Sequence, residues 1–227
     1  DKDPTLLSLA GEVYLQNGDA KKAEEYFTKA SKLDPTNPAK QTAVALTHMA
    51  QGDMTTAFGE LEQISAADKG TAADLALIAA YLRRNELDKA LKAIDVLEKK
   101  QPDNPATYNL RASALLAKKD AAGARKSFEK ALAVSPTYVP AAMSLARMDM
   151  ADKKPEEARK RFEAILAVDP KNVAAMLALA DLRALLGRIH ELFRSGIHTQ
   201  IHDLEPGAFH HHRDKVLADV VQVPLHR

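Results

Sequence analysis

The sequence predicts an all-α protein assembled from stacked helical hairpins. Three observations lead there. One phrase returns along the chain: "EYFTKASKLDP" at 25–35, "KSFEKALAVSP" at 126–136 and "KRFEAILAVDP" at 160–170. Of 227 residues 46% are hydrophobic, but only 5% are aromatic and none is Trp. A core resting on Ala and Leu suits closely packed helices better than a β-sandwich. Gly, Asn and Pro recur between the apolar stretches, where they end one helix and begin the next.

Pro35, Pro102, Pro136 and Pro170 set the interval. The last three lie 34 residues apart, and the first gap of 67 is two intervals less one residue. This gives five units, at 4–37, 38–70, 71–104, 105–138 and 139–172, and a sixth opens at 173. In the first, Leu7, Ala10 and Tyr14, then Ala23, Phe27 and Ala30, keep the 3-and-4 spacing of a helix face. Gly18 breaks the two helices and Asp19 is placed to cap the second. The second unit opens on Asn37-Pro38, breaks at Gly52, caps at Asp53 and ends one residue short, without a proline, at "SAADKG". The third breaks at Asn85. The fourth opens on Asn104-Pro105 and caps at Asp120. The fifth carries Pro155 at a first helical position, where a missing N–H costs nothing. The sixth begins "NVAAMLALADLRALLG", with Gly187 at the expected break.

Small residues explain the interval. Gly11, Ala45, Ala112, Ala146 and Ala180 share one position of the first helix; Ala23, Ala57, Ala90, Ala124 and Ala158 share one position of the second. Helices approach closely only where side chains are small. Phe27, Leu61, Ile94, Phe128 and Phe162 then fill the space between hairpins. One hairpin cannot bury that face alone, so neighbours stack.

This pattern resembles the tetratricopeptide repeat (TPR) over about residues 4–187. The matching positions are the small residue of the first helix (Gly11, Ala112), the aromatic after it (Tyr14, Tyr81), the Ala and Phe of the second helix and the closing Pro. Ile78 departs where a small residue is usual, Asp149 where an aromatic is usual, and Leu7 where Trp is usual. The resemblance implies a right-handed superhelical solenoid whose first helices line a concave wall. It also implies a non-catalytic scaffold that holds a protein or peptide segment there. More narrowly, "ADLALIAAYLRRNELDKALKAIDVLEKKQPDNP" and "RKSFEKALAVSPTYVPAAMSLARMDMADKKPEEARKRFEAILAVDPKN" are similar to the large TPR proteins of bacterial PEP-CTERM/exosortase systems. That likeness implies an exported lipoprotein of the bacterial cell envelope, linked to exopolysaccharide export, with its lipid-bearing cysteine outside this stretch. A cytoplasmic setting is the alternative. The opening "DKDPTLL", with neither an initiator Met nor a signal-peptide core, reads as an internal fragment or a processed product.

On the expected wall, Leu46, Met49, Leu82, Asn109, Met143, Arg147 and Met150 are the candidate groove residues. Leu and Met suit adaptable apolar binding of an amphipathic helix or an extended segment. The same stripe would serve helix-on-helix packing, so a structural segment of a longer rod, packing mainly on its own repeats, is the alternative role. The Lys/Asn/Arg set with which chaperone-binding members clamp a C-terminal carboxylate is absent, and Asn109 and Arg147 alone do not build it. The mixed charges of "LRRNELDK" and "ADKKPEEARKR" read as a solvated, internally paired face.

Other classes are disfavoured. A net charge of +1, from 32 basic and 31 acidic residues, gives no electrostatic case for nucleic acid or an anionic membrane. Without cysteine there are no disulfides, thiol catalysis or Cys-based zinc sites. No apolar run approaches the ~18–20 residues of a membrane span. No Ser/His/Asp order, Gly-rich phosphate loop or paired carboxylates point to an enzyme or a cofactor.

The pattern stops after Gly187. Residues 188–227 hold seven of the eight histidines and little Ala. Three readings stay open: a capping segment for the array, a metal tract, or foreign sequence joined by a frame change or fusion. His198 and His202, four apart, and His210 and His212 are the candidate ligands, without Cys or an HExxH motif to support them. The uncovered face of the half-finished sixth unit offers a route to self-association through the C-terminal end.

Overall fold

The computed structural model describes residues 3–194, with side chains to residue 188. Among them are eleven α-helices and no strand. Five hairpins pair α1 (Pro4–Gln16) with α2 (Ala20–Leu33), α3 (Pro38–Ala50) with α4 (Met54–Ala67), and α5 (Ala72–Arg83) with α6 (Leu87–Lys100). They continue with α7 (Pro105–Ala117) and α8 (Ala121–Val134), then α9 (Val139–Ala151) and α10 (Pro155–Val168). The chain divides into two compact units, Asp1–Ala175 and Met176–Arg227, and the hairpins make up the first. Within it each helix packs on the next in sequence, and α3 also meets α5, the first helix of the following hairpin. This is a helical repeat solenoid, as the recurring phrase predicts.

The helix starts obey the sequence signals. Asp19, Asp53 and Asp120 accept from the backbone N–H groups of Lys22, Thr56 and Gly123. Asn37 and Asn104 do the same ahead of the prolines that open α3 and α7. Each such cap contributes about 0.5–2 kcal/mol. The turns inside the hairpins share one geometry. In all five, the second residue after the first helix's cap donates its N–H to a carbonyl one turn back: Asp19 to Tyr14, Asp53 to His48, Glu86 to Tyr81, Asp120 to Leu115 and Lys154 to Asp149. Such closure needs a left-handed residue in between. Gly18, Gly52 and Asn85 supply it as expected, with φ of 80°, 89° and 58°. In the fourth and fifth units the same place falls to Lys119 (φ 65°) and Lys153 (φ 60°).

Gly187 behaves differently. α11 (Val173–Arg194) runs through it as one helix of 22 residues, so the turn expected there is not made. Arg188 stands where Asp19, Asp53 and Asp120 follow the break in earlier units, and a lone interior Gly is tolerated.

The core lies between hairpins. Ala23, Ala57, Ala90, Ala124 and Ala158 are fully buried, and Phe27, Leu61, Ile94, Phe128 and Phe162 beside them nearly so. Stacking is what buries the flank of each first helix. Val13, in the first unit, is 49% exposed, whereas Thr47, Ala80 and Ala114 at the same place in the next three units are 0–3% exposed. Ile78 is accommodated by its partner. It clusters with Ile94, Leu97 and Ala114, so a medium residue on each helix replaces the small-plus-Phe pair of the first, fourth and fifth units.

The short, proline-free end of the second unit is held by polar groups. The Ser65 hydroxyl donates to Asp74 at 2.5 Å. The Lys100 ammonium reaches Asp74 at 2.6 Å, the Ser65 carbonyl at 2.8 Å and the Gly70 carbonyl at 3.2 Å. Asp74 is 1% exposed, and this set of partners is what makes a buried carboxylate tolerable.

Candidate functional site: the first-helix wall

One edge of each first helix faces solvent. In α5 it carries Ala72, Leu75, Ala79 and Arg83; in α7, Ser113, Leu116 and Ala117; in α9, Pro140, Arg147 and Ala151, all exposed. The 3-and-4 spacing of these positions sets them in rows along the array. The seven candidates lie on or beside this edge at different depths. Arg147 is exposed. Leu46, Leu82, Asn109, Met143 and Met150 are half-buried. Met49 is 8% exposed and belongs to the core of the second and third units, where Leu82 packs against the same cluster. The two are thus brought together; Leu46 lies on α3 and Asn109 on α7, while Met143, Arg147 and Met150 follow one another along one face of α9 at 4- and 3-residue spacing. The side-chain Oδ1 of Asn109 is shut from solvent and accepts no hydrogen bond. Leu75 and Leu116, at 45% and 41% exposure, are the more open leucines of the wall. Leu75 shares its place in the repeat with Asn109 and Met143, and Leu116 with Met49, Leu82 and Met150, so residue type alone does not separate them from their more buried counterparts.

The chemistry of this edge differs from the rest of the surface. The charged residues of α1, α3, α5, α7 and α9 are Glu12, Lys40, Asp74, Arg83, Arg111, Arg147 and Asp149. Four of them are occupied internally. Lys40 pairs with Asp34, Asp74 with Lys100, Arg111 with Asp95 and Glu98, and Asp149 with Arg125 and Arg161. Only Glu12, Arg83 and Arg147 extend from these first helices into solvent without an ion pair. By contrast α2, α6 and α10 are dense with exposed Lys, Glu and Asp. The result is a wall of Ala, Leu and Met with isolated charges.

In a row of residues behind the wall, three of five reach the hairpin before their own. Tyr14, His48, Tyr81, Leu115 and Asp149 share one position of the repeat, and each finds different company. Tyr14 stacks on Tyr26 within the first hairpin, ring centres 5.2 Å apart. His48 lies between Glu60 of its own hairpin (2.8 Å) and Glu24 of the hairpin before (3.5 Å). Tyr81 stacks on Phe58 of the preceding hairpin at 4.6 Å. Leu115 packs into the aliphatic and aromatic cluster around Tyr108 and Phe128. Asp149, 2% exposed, is gripped by Arg125 of the preceding hairpin (2.5 Å) and Arg161 of its own (3.0 Å). The departure at Asp149 therefore exchanges an aromatic contact for a charged one. Burial opposes the charge on His48, yet Glu60 and Glu24 outweigh it and hold the imidazolium above the ordinary histidine range. Burial and the Glu62 carboxylate push the Tyr81 hydroxyl up.

A separate cleft of about 440 Å³ opens between α2, α3 and α4, bounded by Thr28, Lys32, Gln41, Val44, Glu60 and Ile64 among others. None of the seven candidates lines it. Among the described residues no cluster of three or more metal-ligating side chains occurs, and no helix is long and apolar enough to cross a membrane. The candidate ligands His198, His202, His210 and His212 lie outside the described residues.

No curated protein matches the chain in sequence. Solved structures are similar in fold. A tetratricopeptide repeat protein from Parabacteroides merdae superposes with a TM-score of 0.55 at 20% identity, covering 84% of this chain and 79% of that one. PilF of Pseudomonas aeruginosa gives 0.59 at 17%, covering 86% and 93%. Yeast Tom70 gives 0.64 at 20%, covering 86% of this chain and 42% of its own. At these identities the likeness speaks for the fold alone. The matches are to the repeat in general and lend the narrower PEP-CTERM lipoprotein resemblance no support. Models of the tetratricopeptide repeat match residues 4–37, 48–114, 115–167 and 149–191. With most of its length matched and its hairpins stacked one on the next, the chain belongs to the tetratricopeptide repeat family, whose members generally mediate protein–protein interactions.

Proposed function

We propose that this chain is a non-catalytic scaffold that holds a peptide or protein segment on the first-helix wall of its third to fifth units. The charge asymmetry carries the reading. A surface lined by Leu75, Leu82, Leu116, Met143 and Met150 stands among exposed alanines, while the neighbouring second helices are covered in Lys, Glu and Asp. Such an edge is costly in water unless another apolar surface covers it. An amphipathic helix or extended segment laid across the rows would do so.

The cysteine-free chain allows a direct test. A photo-crosslinker on Ala79→Cys or Ser113→Cys, both exposed wall sites, is compared with one on Lys92→Cys, exposed on α6. Partner crosslinks are expected from the wall sites only, and should vanish when Leu75→Asn and Leu116→Asn are added. Equal crosslinking from both faces would reject the wall as the binding surface. Met49 is a poor probe, because a charge introduced there would disturb the core.

A further inference from the structure

Among residues 3–175 there are seven arginines, and five have carboxylate partners. Arg84 pairs with Glu86, Arg111 with Asp95 and Glu98, Arg125 with Asp149 and Asp152, Arg159 with Glu156 and Glu163, and Arg161 with Asp149. The two that make no ion pair, Arg83 and Arg147, are the two on the wall. We infer that the wall of the third to fifth units takes an acidic amphipathic segment: apolar side chains seated on its leucines and methionines, with carboxylates paired to Arg83 and Arg147. This inference rests on the wall as the binding surface and adds the chemistry of the partner.

Charge complementarity supports it. The exposed residues of α5, α7 and α9 include no carboxylate, only uncharged side chains such as Leu75, Ala79, Ser113 and Leu116 beside Arg83 and Arg147. Their field is therefore not cancelled by a carboxylate on the same three helices. The Arg83 guanidinium lies 3.6 Å from the Met49 sulfur, which holds it over the apolar row. Arginine also suits bidentate carboxylate binding and loses less freedom than lysine in doing so. Glu12, the remaining free charge on the first helices of the five hairpins, stands in the first unit and repels an acidic segment there. The signs thus select the third to fifth units over the first. Two separated guanidinium groups on an apolar surface do not form the continuous basic track that a phosphate backbone requires.

The test pans a phage library of random 16-residue peptides on the whole chain and on its Arg83→Glu/Arg147→Glu variant. Both positions are exposed, and circular dichroism checks that the fold is kept. On the unaltered chain the enriched peptides should combine Asp or Glu with apolar residues at 3-and-4 spacing. Their affinity, read by fluorescence polarisation, should fall about tenfold or more on the variant and weaken with added salt. The variant should instead enrich Lys and Arg. An apolar pool without acidic excess, or one whose affinity the variant leaves unchanged, overturns the acidic partner and leaves the wall reading standing. Peptides indifferent to Leu75→Asn/Leu116→Asn, or no enrichment at all, overturn the wall reading and this inference together.

Discussion

Gly11 has no room for a side chain. A methyl group there would come within 2.9 Å of three atoms of the Phe27 ring, which is itself 3% exposed and cannot swing away. Gly11→Ala should therefore destabilise the chain by about 1–2 kcal/mol in urea melts, despite alanine's better helix propensity. The second unit shows the remedy, because it pairs Ala45 with Leu61 at the same two places, both fully buried. Adding Phe27→Leu to Gly11→Ala should recover most of the loss, with a coupling of about 1 kcal/mol between the two changes. Additive losses would show that the two positions are not in steric contact. At this scale the sequence was legible where one residue type has one use. The Asp and Asn caps and the opening prolines stand where their chemistry predicts. Ile78 and Asp149 were legible only as departures, since the side chains that accommodate them lie 12 to 24 residues away or more. Lys119 and Lys153 gave no signal, because lysine has no preference for the left-handed turn it occupies there. The shared backbone hydrogen bond, closed in every unit, offsets that cost.

Between elements, the contact that responds to pH is His48. It joins α3 to α4 through Glu60 and to α2 through Glu24. Gln51, also on this side, donates to Glu24, and the Asp53 carboxylate is nearby. The folded state holds the His48 proton more tightly than the unfolded chain does. Its contribution is thus complete below the ordinary histidine range, about pH 6.5, and is lost as pH rises through the higher folded value. The thermal midpoint of the chain should fall between about pH 6 and pH 8, by the equivalent of about 0.5–1 kcal/mol. His48→Gln should show a smaller fall over the same interval, since it removes this contribution alone. Identical profiles would mean the two glutamates do not hold the proton. The first helices of the five hairpins start at Pro4, Pro38, Ala72, Pro105 and Val139, at intervals of 33 or 34 residues. That ruler failed at Gly187, where a break depends on the residues after the glycine rather than on the glycine itself. The candidate wall was legible as a set of positions, but not by depth. Met49 and Leu116 share one place in the repeat, yet one is core and the other 41% exposed, because their neighbours differ.

For the whole array, stability resides in hairpins and in the joints between them, not in one central core. Asp149 is the joint between the fourth and fifth hairpins, and Asp149→Ala would leave Arg125 and Arg161 facing each other without the carboxylate between them. A loss of about 2–4 kcal/mol is expected. Because it falls at one joint, unfolding of the full chain should split, with the fifth hairpin melting before the others. A single unshifted transition would show that the array unfolds as a block regardless of its joints. Three of the joints also differ from one another: acid around histidine, ring on ring, base around acid. Near-identical repeats in a gene invite unequal crossing-over, which inserts or deletes a whole hairpin while keeping the reading frame. Here the product of such an exchange would seat mismatched faces, a tyrosine ring against Glu24 or Asp149 against Phe58. The order of the hairpins is thereby protected in the translated protein, even where their helices look interchangeable.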